Sequence, residues 1–173
     1  MTSEEMLPRV RSVLATTPAR WSAMTVEIPV DLLERSPAPG EWPAVDCLRH
    51  LRDAERDVFH VRVRAFRAGQ DLEPYDPETQ GSAPRGESPA ALAADFAQLR
   101  TTGLALLAEV TSGELALTVT HGEFGPVRLG DLLNEWAAHD LMHTVQAERA
   151  LMQPFIAASG PWRVTLADHD VGG

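Results

Sequence analysis

Residues 129–153 read Leu-Gly-Asp-Leu-Leu-Asn-Glu-Trp-Ala-Ala-His-Asp-Leu-Met-His-Thr-Val-Gln-Ala-Glu-Arg-Ala-Leu-Met-Gln. At 3.6 residues per turn, Leu129, Leu132, Trp136, His139, His143, Ala147 and Ala150 fall on one face, which predicts a long amphipathic helix stopped by Pro154. Two positions on this apolar stripe are histidines. Side chains four apart project from the same face one turn above the other, a geometry in which two imidazoles can share one metal ion. Two imidazoles on a core stripe are costly unless each has a polar partner. A metal is one such partner, and a hydrogen-bonded core histidine is the alternative.

Three further segments carry the helical period. Residues 3–24 place Met6, Val10, Val13, Leu14 and Trp21 on one face, with Thr2 and Glu5 spaced as a capping box and Pro18 as a site for a kink. Residues 43–68 open with Pro43, suited to a first helical position, and close at Gly69. Residues 88–110 open with Ser88-Pro89, a cap followed by a first-turn proline. Strand signal is confined to a weak alternation over residues 115–120. Four long helices with little strand predict an all-α four-helix bundle with long connecting loops. The 173 residues are expected to form a single domain, with a core over about 3–153 and a C-terminal tail, 154–173, that packs a little through Trp162. Residues 69–87 hold three prolines and three glycines, a composition suited to a lid or binding loop.

Composition narrows the function. The net charge is -10, and all fifteen basic residues are scattered arginines with many acidic neighbours. No basic stripe is present to neutralise phosphates, which argues against nucleic-acid binding, and the acidic surface disfavours anionic membranes. A single cysteine, Cys47, excludes an internal disulfide. The acidic start, Met1-Thr2-Ser3-Glu4-Glu5, is unlike a signal peptide, and no apolar run has membrane-spanning length, so a cytoplasmic location is expected.

On the second helix Cys47, Leu51, Ala54, Val58 and Val61 form the predicted core stripe. His50 lies at its edge, where a ligand can reach inward, with Asp46, Asp53 and Asp57 on the flank beyond. These aspartates are candidates to orient the second ring nitrogen of His50, and with Glu135 they are the candidate general bases, although a solvated helix flank is the simpler reading of each. Cys47 reads as core packing. Trp136 reads as core beside the histidines, Trp42 as packing at a helix start, His121 as a structural loop residue, and His60 and His169 as surface residues. Gln146, one turn beyond His143, is placed either to bond a ligand or to tie two helices. His139-Asp140-Leu141-Met142-His143 is not a zinc-protease motif, because aspartate stands where that chemistry needs glutamate.

Gly40-Glu41-Trp42-Pro43, Leu48-Arg49-His50-Leu51 and Ala54-Glu55 resemble the opening blocks of the DinB-like (YfiT-like) superfamily. The run His121-Gly122-Glu123-Phe124-Gly125-Pro126-Val127-Arg128-Leu129 resembles its later histidine-to-leucine segment, and His139, His143 and Gln146 match its closing pattern. Pro43 and Gly122 depart from the usual serine and proline, at a helix start and in a loop. The resemblance implies a four-helix bundle holding one divalent transition metal (zinc, nickel or iron) through His50, His139 and His143. It also implies a small-molecule substrate and, from relatives that pair through helix faces, a homodimer. Three functions fit it: a thiol-dependent S-transferase using a low-molecular-weight thiol, a metal-dependent hydrolase, and a metal- or ligand-binding protein without turnover.

Overall fold

The computed structural model describes residues 3–76 and 86–171. Four helical rods form the expected bundle: α1 (Ser3–Glu27), the continuous pair α3 (Ala44–Ala54) and α4 (His60–Ala68), α5 (Pro89–Ala108) and α6 (Leu129–Ala158). A one-turn helix, α2 (Val30–Leu33), lies in the first connection. In the ring of rods, α1 packs on α5 and α6, and α3 packs on the same two from the other side.

Local chemistry sets the boundaries. The Ser88 hydroxyl accepts the Ala91 N–H at 3.2 Å with Pro89 in the first turn, as the cap reading requires. Gly69 closes α4 in the left-handed region (φ 65°), and Gln70 N–H reaches back to Ala65 C=O at 2.9 Å. Thr2 of the predicted capping box lies outside the described residues, as do positions 77–85 of the proposed loop.

Pro154 does not stop the last helix. It sits inside α6, which runs on to Ala158. The chain then turns back through a 3₁₀ segment, Gly160–His169, tied to α6 by Gln153: its amide donates to His169 C=O at 2.9 Å and accepts Val171 N–H at 3.1 Å. These backbone ties hold the tail, whereas Trp162 is 70% exposed and contributes no anchor. The extended stretch is real but shifted. Strand β1 (Thr118–His121) pairs antiparallel with β2 (Gly125–Arg128), Val119 opposite Val127. Leu72 bridges to His121, so the hairpin holds the start of the loop that follows α4.

The second rod changes phase at a π-helical turn, Glu55–Phe59. A π turn holds one extra residue and rotates everything after it. The stripe Cys47, Leu51, Ala54, Val58 is buried as predicted, but Val61 is 52% exposed and Phe59, Val63 and Phe66 take its place. The same rotation turns His60 inward, so it is a buried residue and not a surface one.

The core is split in two along the bundle axis. One apolar cluster gathers Leu14, Phe59, Val63, Leu107 and Trp136, and the other Trp21, Leu48, Leu51, Phe96 and Ala147. Between them lies a buried polar layer made of one residue from each rod: Thr17, Glu55, Arg100 and Asp140. Arg100 donates to Glu55 (2.9 Å), to both carboxylate oxygens of Asp140 (2.7 and 2.8 Å) and to Thr17 (2.9 Å). Thr17 donates to Asp140 at 2.6 Å. Pro18 has no N–H for the Leu14 carbonyl, and Arg100 fills that vacancy at 2.7 Å. Glu55 also accepts from Trp136 Nε1 (2.7 Å) and from His60 (2.9 Å). Burial alone raises the Glu55 pKa, but bonds from His60 and Arg100 outweigh it and leave the carboxyl below its ordinary value.

Candidate metal centre

The polar layer positions the histidines. Asp140 is clamped inward by Arg100, which fixes the rotation of α6 and turns His139, one residue before it, and His143, three residues after it, toward α3. His50 meets them from α3. Its Nε2 lies 3.0 Å from His139 Nε2, and one ring nitrogen from each of the three residues falls within 4.8 Å of the others. The ring centroids of His143 are 4.5 Å from those of both other histidines.

Each ring is held. His143 Nδ1 faces the Gln146 side-chain oxygen at 2.8 Å, so the hydrogen sits on Nδ1 and Nε2 keeps its lone pair. Gln146 therefore tunes a histidine on its own helix and does not tie two helices together. Trp42 is more than helix-start packing, because its ring stacks on His143 at 5.8 Å and 15°. Phe59 packs edge-on against His139 at 5.3 Å and stacks on Trp136.

Burial lowers the pKa of His50 to about 4, helped by His143 and opposed by Asp53. Burial lowers that of His139 to about 3, helped by His143, His50 and Arg100. His143 is lowered too, chiefly by burial. All three are neutral near pH 7, the state in which imidazole offers a lone pair. In the metal-free protein this carries a stability cost in acid. The unfolded chain takes up protons near the ordinary value of 6.5 and the folded one does not, so folding stability falls as pH drops below that value. Denaturant midpoints measured with chelator are expected to fall steadily from about pH 7 to about pH 5. A flat midpoint across that range would contradict the burial account.

The donor set fits a metal. Four-coordinate zinc, with bonds of about 2.0–2.1 Å, spaces its nitrogen ligands about 3.3 Å apart, close to the 3.0 Å His50–His139 approach. His139 Nδ1 is buried without a hydrogen-bond partner among the described residues. Two neutral rings meeting Nε2 to Nε2 need a proton or a cation between them.

Of the candidate bases, three are committed elsewhere. Asp46 pairs with Arg49, Asp53 with Arg52 (2.6 Å) and Arg56 (3.0 Å), and Asp57 with Arg56 (2.8 Å). Asp140 faces the core and not the site. Glu135 is different. It lines a cavity of about 240 Å³ beside His50 and His139, one turn before His139 on α6. Glu135 is an exposed residue whose carboxyl is partly shielded from water, which raises its pKa, while Arg62 pulls it back. Arg62, Tyr75, His121, Glu123 and Phe124 line the same cavity. Arg62 and Tyr75 did not stand out in the sequence: Arg62 is aimed by the π turn and Tyr75 lies in the connection after α4. His121 is buried against Phe124 and Arg62. Cys47 is fully buried in the apolar cluster, and burial pushes its thiol up to about 12, as expected of packing. Arg100 did leave a sequence trace, as the one charge on the α5 stripe Leu92, Phe96, Gly103, Leu107.

Among the described residues no helix is long and apolar enough to cross a membrane. No curated protein matches the chain. The fold is similar to that of YfiT from Bacillus subtilis, described as a probable metal-dependent hydrolase with an unusual four-helix bundle topology. The TM-score is 0.75 over 90% of each chain at 19% identity, a likeness of fold. The sequence profile of the DinB superfamily matches residues 14–147, most of the bundle and all three clustered histidines, and the chain belongs to that superfamily.

Proposed function

We propose that His50, His139 and His143 hold one divalent transition metal and that the chain is a metal-dependent hydrolase of a small molecule. The observation that carries this reading is the cluster of three neutral imidazoles, two of which, His50 and His139, line a cavity that also presents the Glu135 carboxyl. The YfiT fold likeness supports it. When bound, the metal supplies Lewis acidity, polarising a substrate oxygen and lowering the pKa of a bound water or thiol. Gln146 holds the His143 tautomer. Trp42 and Phe59 exclude water from the flanks of the rings. Glu135 takes up the proton at its carboxylate as the nucleophile is activated and returns it to the leaving group.

A second reading is transfer of a low-molecular-weight thiol. It is favoured by the all-nitrogen donor set, which suits borderline metals such as zinc and nickel that also bind thiolate. In that case Glu135 accepts the thiol proton. The experiment that tests both loads chelator-stripped protein with zinc, nickel or iron(II). It then assays ester and amide hydrolysis beside thiol addition to an electrophile. Metal-dependent hydrolysis supports the first reading, and metal-dependent thiol consumption alone supports the second. Metal binding without either would place the chain with non-catalytic binding proteins.

A further inference from the structure

The histidine cavity has a neighbour of about 370 Å³ that the metal reading leaves unused. Arg62, His121, Phe124 and Glu135 line both, so the two cavities share a wall. The rest of the second cavity includes Phe66, Leu72, Val127 and Leu132. Phe66, Leu72 and Leu132 are buried members of the apolar cluster around Trp136, and Val127 packs against it. The floor of the recess is therefore the packed core itself, which is rigid. The hairpin fixes Leu72 further: its N–H donates to Thr120 C=O at 2.8 Å, and its C=O accepts Gly122 N–H at 2.9 Å. Phe124, 69% exposed, stacks on His121 at 4.7 Å in the wall common to both cavities. An apolar recess of this volume, floored by core and rimmed by a few polar groups, is the usual form of a small-molecule subsite.

The ionic groups at the rim are matched to one another. Asp131 pairs with Arg128 at 2.7 Å. Glu135 and Arg62 are electrostatic partners, each favouring the charged form of the other. A charge carried into the recess would lose water without gaining a counter-ion, so the occupant is uncharged where it meets these walls. Helix α6 sets its reach. Leu132, Glu135 and His139, spaced three and four apart, follow one another along one side of the helix. At 1.5 Å per residue, Leu132 precedes His139 by about 10 Å along the axis. A molecule with one end at the histidines and the other beside Leu132 passes the Glu135 carboxyl on the way.

We propose that the second cavity is the specificity subsite of the same reaction and that the substrate is an ester or amide carrying an uncharged apolar arm. The arm fills the recess beside Leu72, Val127 and Leu132, and the scissile bond lies toward the histidines. The placement of the scissile bond rests on the metal reading, whereas the apolar subsite does not.

The test is an NMR titration of the isotope-labelled protein, metal-loaded and chelator-treated, with acetamide, butanamide, hexanamide and octanamide. Affinity is expected to rise about fourfold per methylene, the worth of a buried CH₂, until the recess is filled. 6-Aminohexanamide, which puts an ammonium at the end of the arm, is expected to bind at least about tenfold more weakly than hexanamide. The length dependence is expected to survive chelation and to stop at a shorter chain in Val127→Phe, which fills part of the recess. It is expected to be unchanged in Met142→Phe, at a separate cavity beside Trp42. The wild-type series and the ammonium control need no variant, so they decide the matter even if Val127→Phe fails to fold. The proposal is overturned by no binding of any amide, by affinity independent of chain length, or by equal binding of 6-aminohexanamide. It is also overturned by a length dependence that is lost on chelation, that Val127→Phe leaves intact, or that Met142→Phe shortens. Failure of the metal reading would show instead as no metal uptake with the length dependence intact.

Discussion

Replacing Arg100 with alanine is expected to destabilise the protein by about 3–5 kcal/mol, the usual cost of stranding buried carboxylates. Arg100 is the only cation in the polar layer, and it serves Glu55, Asp140, Thr17 and the Leu14 carbonyl together. Its removal leaves two carboxylates between apolar clusters and uncovers the carbonyl that Pro18 cannot satisfy. Gly103, one turn further along α5, marks how tightly this layer is closed, since a Cβ there would lie 2.5 Å from His60 Nε2. Arg100→Lys is expected to recover only part of the loss, because one ammonium cannot span both carboxylates and the carbonyl. Urea titration reads the effect directly. A loss below about 1 kcal/mol would show that the layer is not a coupled network.

The second large effect is on turnover. Glu135→Gln is expected to lower the rate of the metal-loaded protein by about 10²–10⁴-fold, the usual worth of a positioned proton-transfer group, with metal content unchanged. The substitution keeps size and polarity and removes the titratable oxygen, so a packing role would leave the rate nearly intact. The pH profile supplies the second check. The wild-type profile should show an acid limb on which activity rises as the Glu135 carboxyl loses its proton, and the variant should lose that limb. Unchanged turnover in the variant, or an acid limb that persists in it, would remove Glu135 from the proton transfer.

The bundle was legible because its rods are long, strongly periodic and punctuated by proline, serine and glycine at the right places. The histidine pair was legible for the same reason: His139 and His143 lie on a stripe whose other members, Leu129, Trp136 and Ala147, are buried as the period requires. What the period could not carry was the π turn. One extra residue between Glu55 and Phe59 moved His60 inward, turned Val61 outward and brought Arg62 to the cavity. No local composition marks such a turn, because the inward position of Glu55 is stabilised by Arg100, 45 residues away in sequence. Pro154 misled in the opposite direction. A single lost backbone bond is small beside the packing of a helix that also holds the returning tail. Glu135 was one of four equivalent carboxylates in sequence, and it is separated from the others by the neighbouring arginines that occupy Asp46, Asp53 and Asp57.

The central claim is that three histidines from two helices form one metal site. Elemental analysis of the untagged protein beside the triple variant His50→Ala, His139→Ala, His143→Ala tests it most directly, with both proteins chelator-stripped, reconstituted and freed of excess metal. The account predicts about one equivalent of transition metal per wild-type chain and close to none in the folded variant. Equal metal in the two proteins, or no uptake by the wild type, would contradict it.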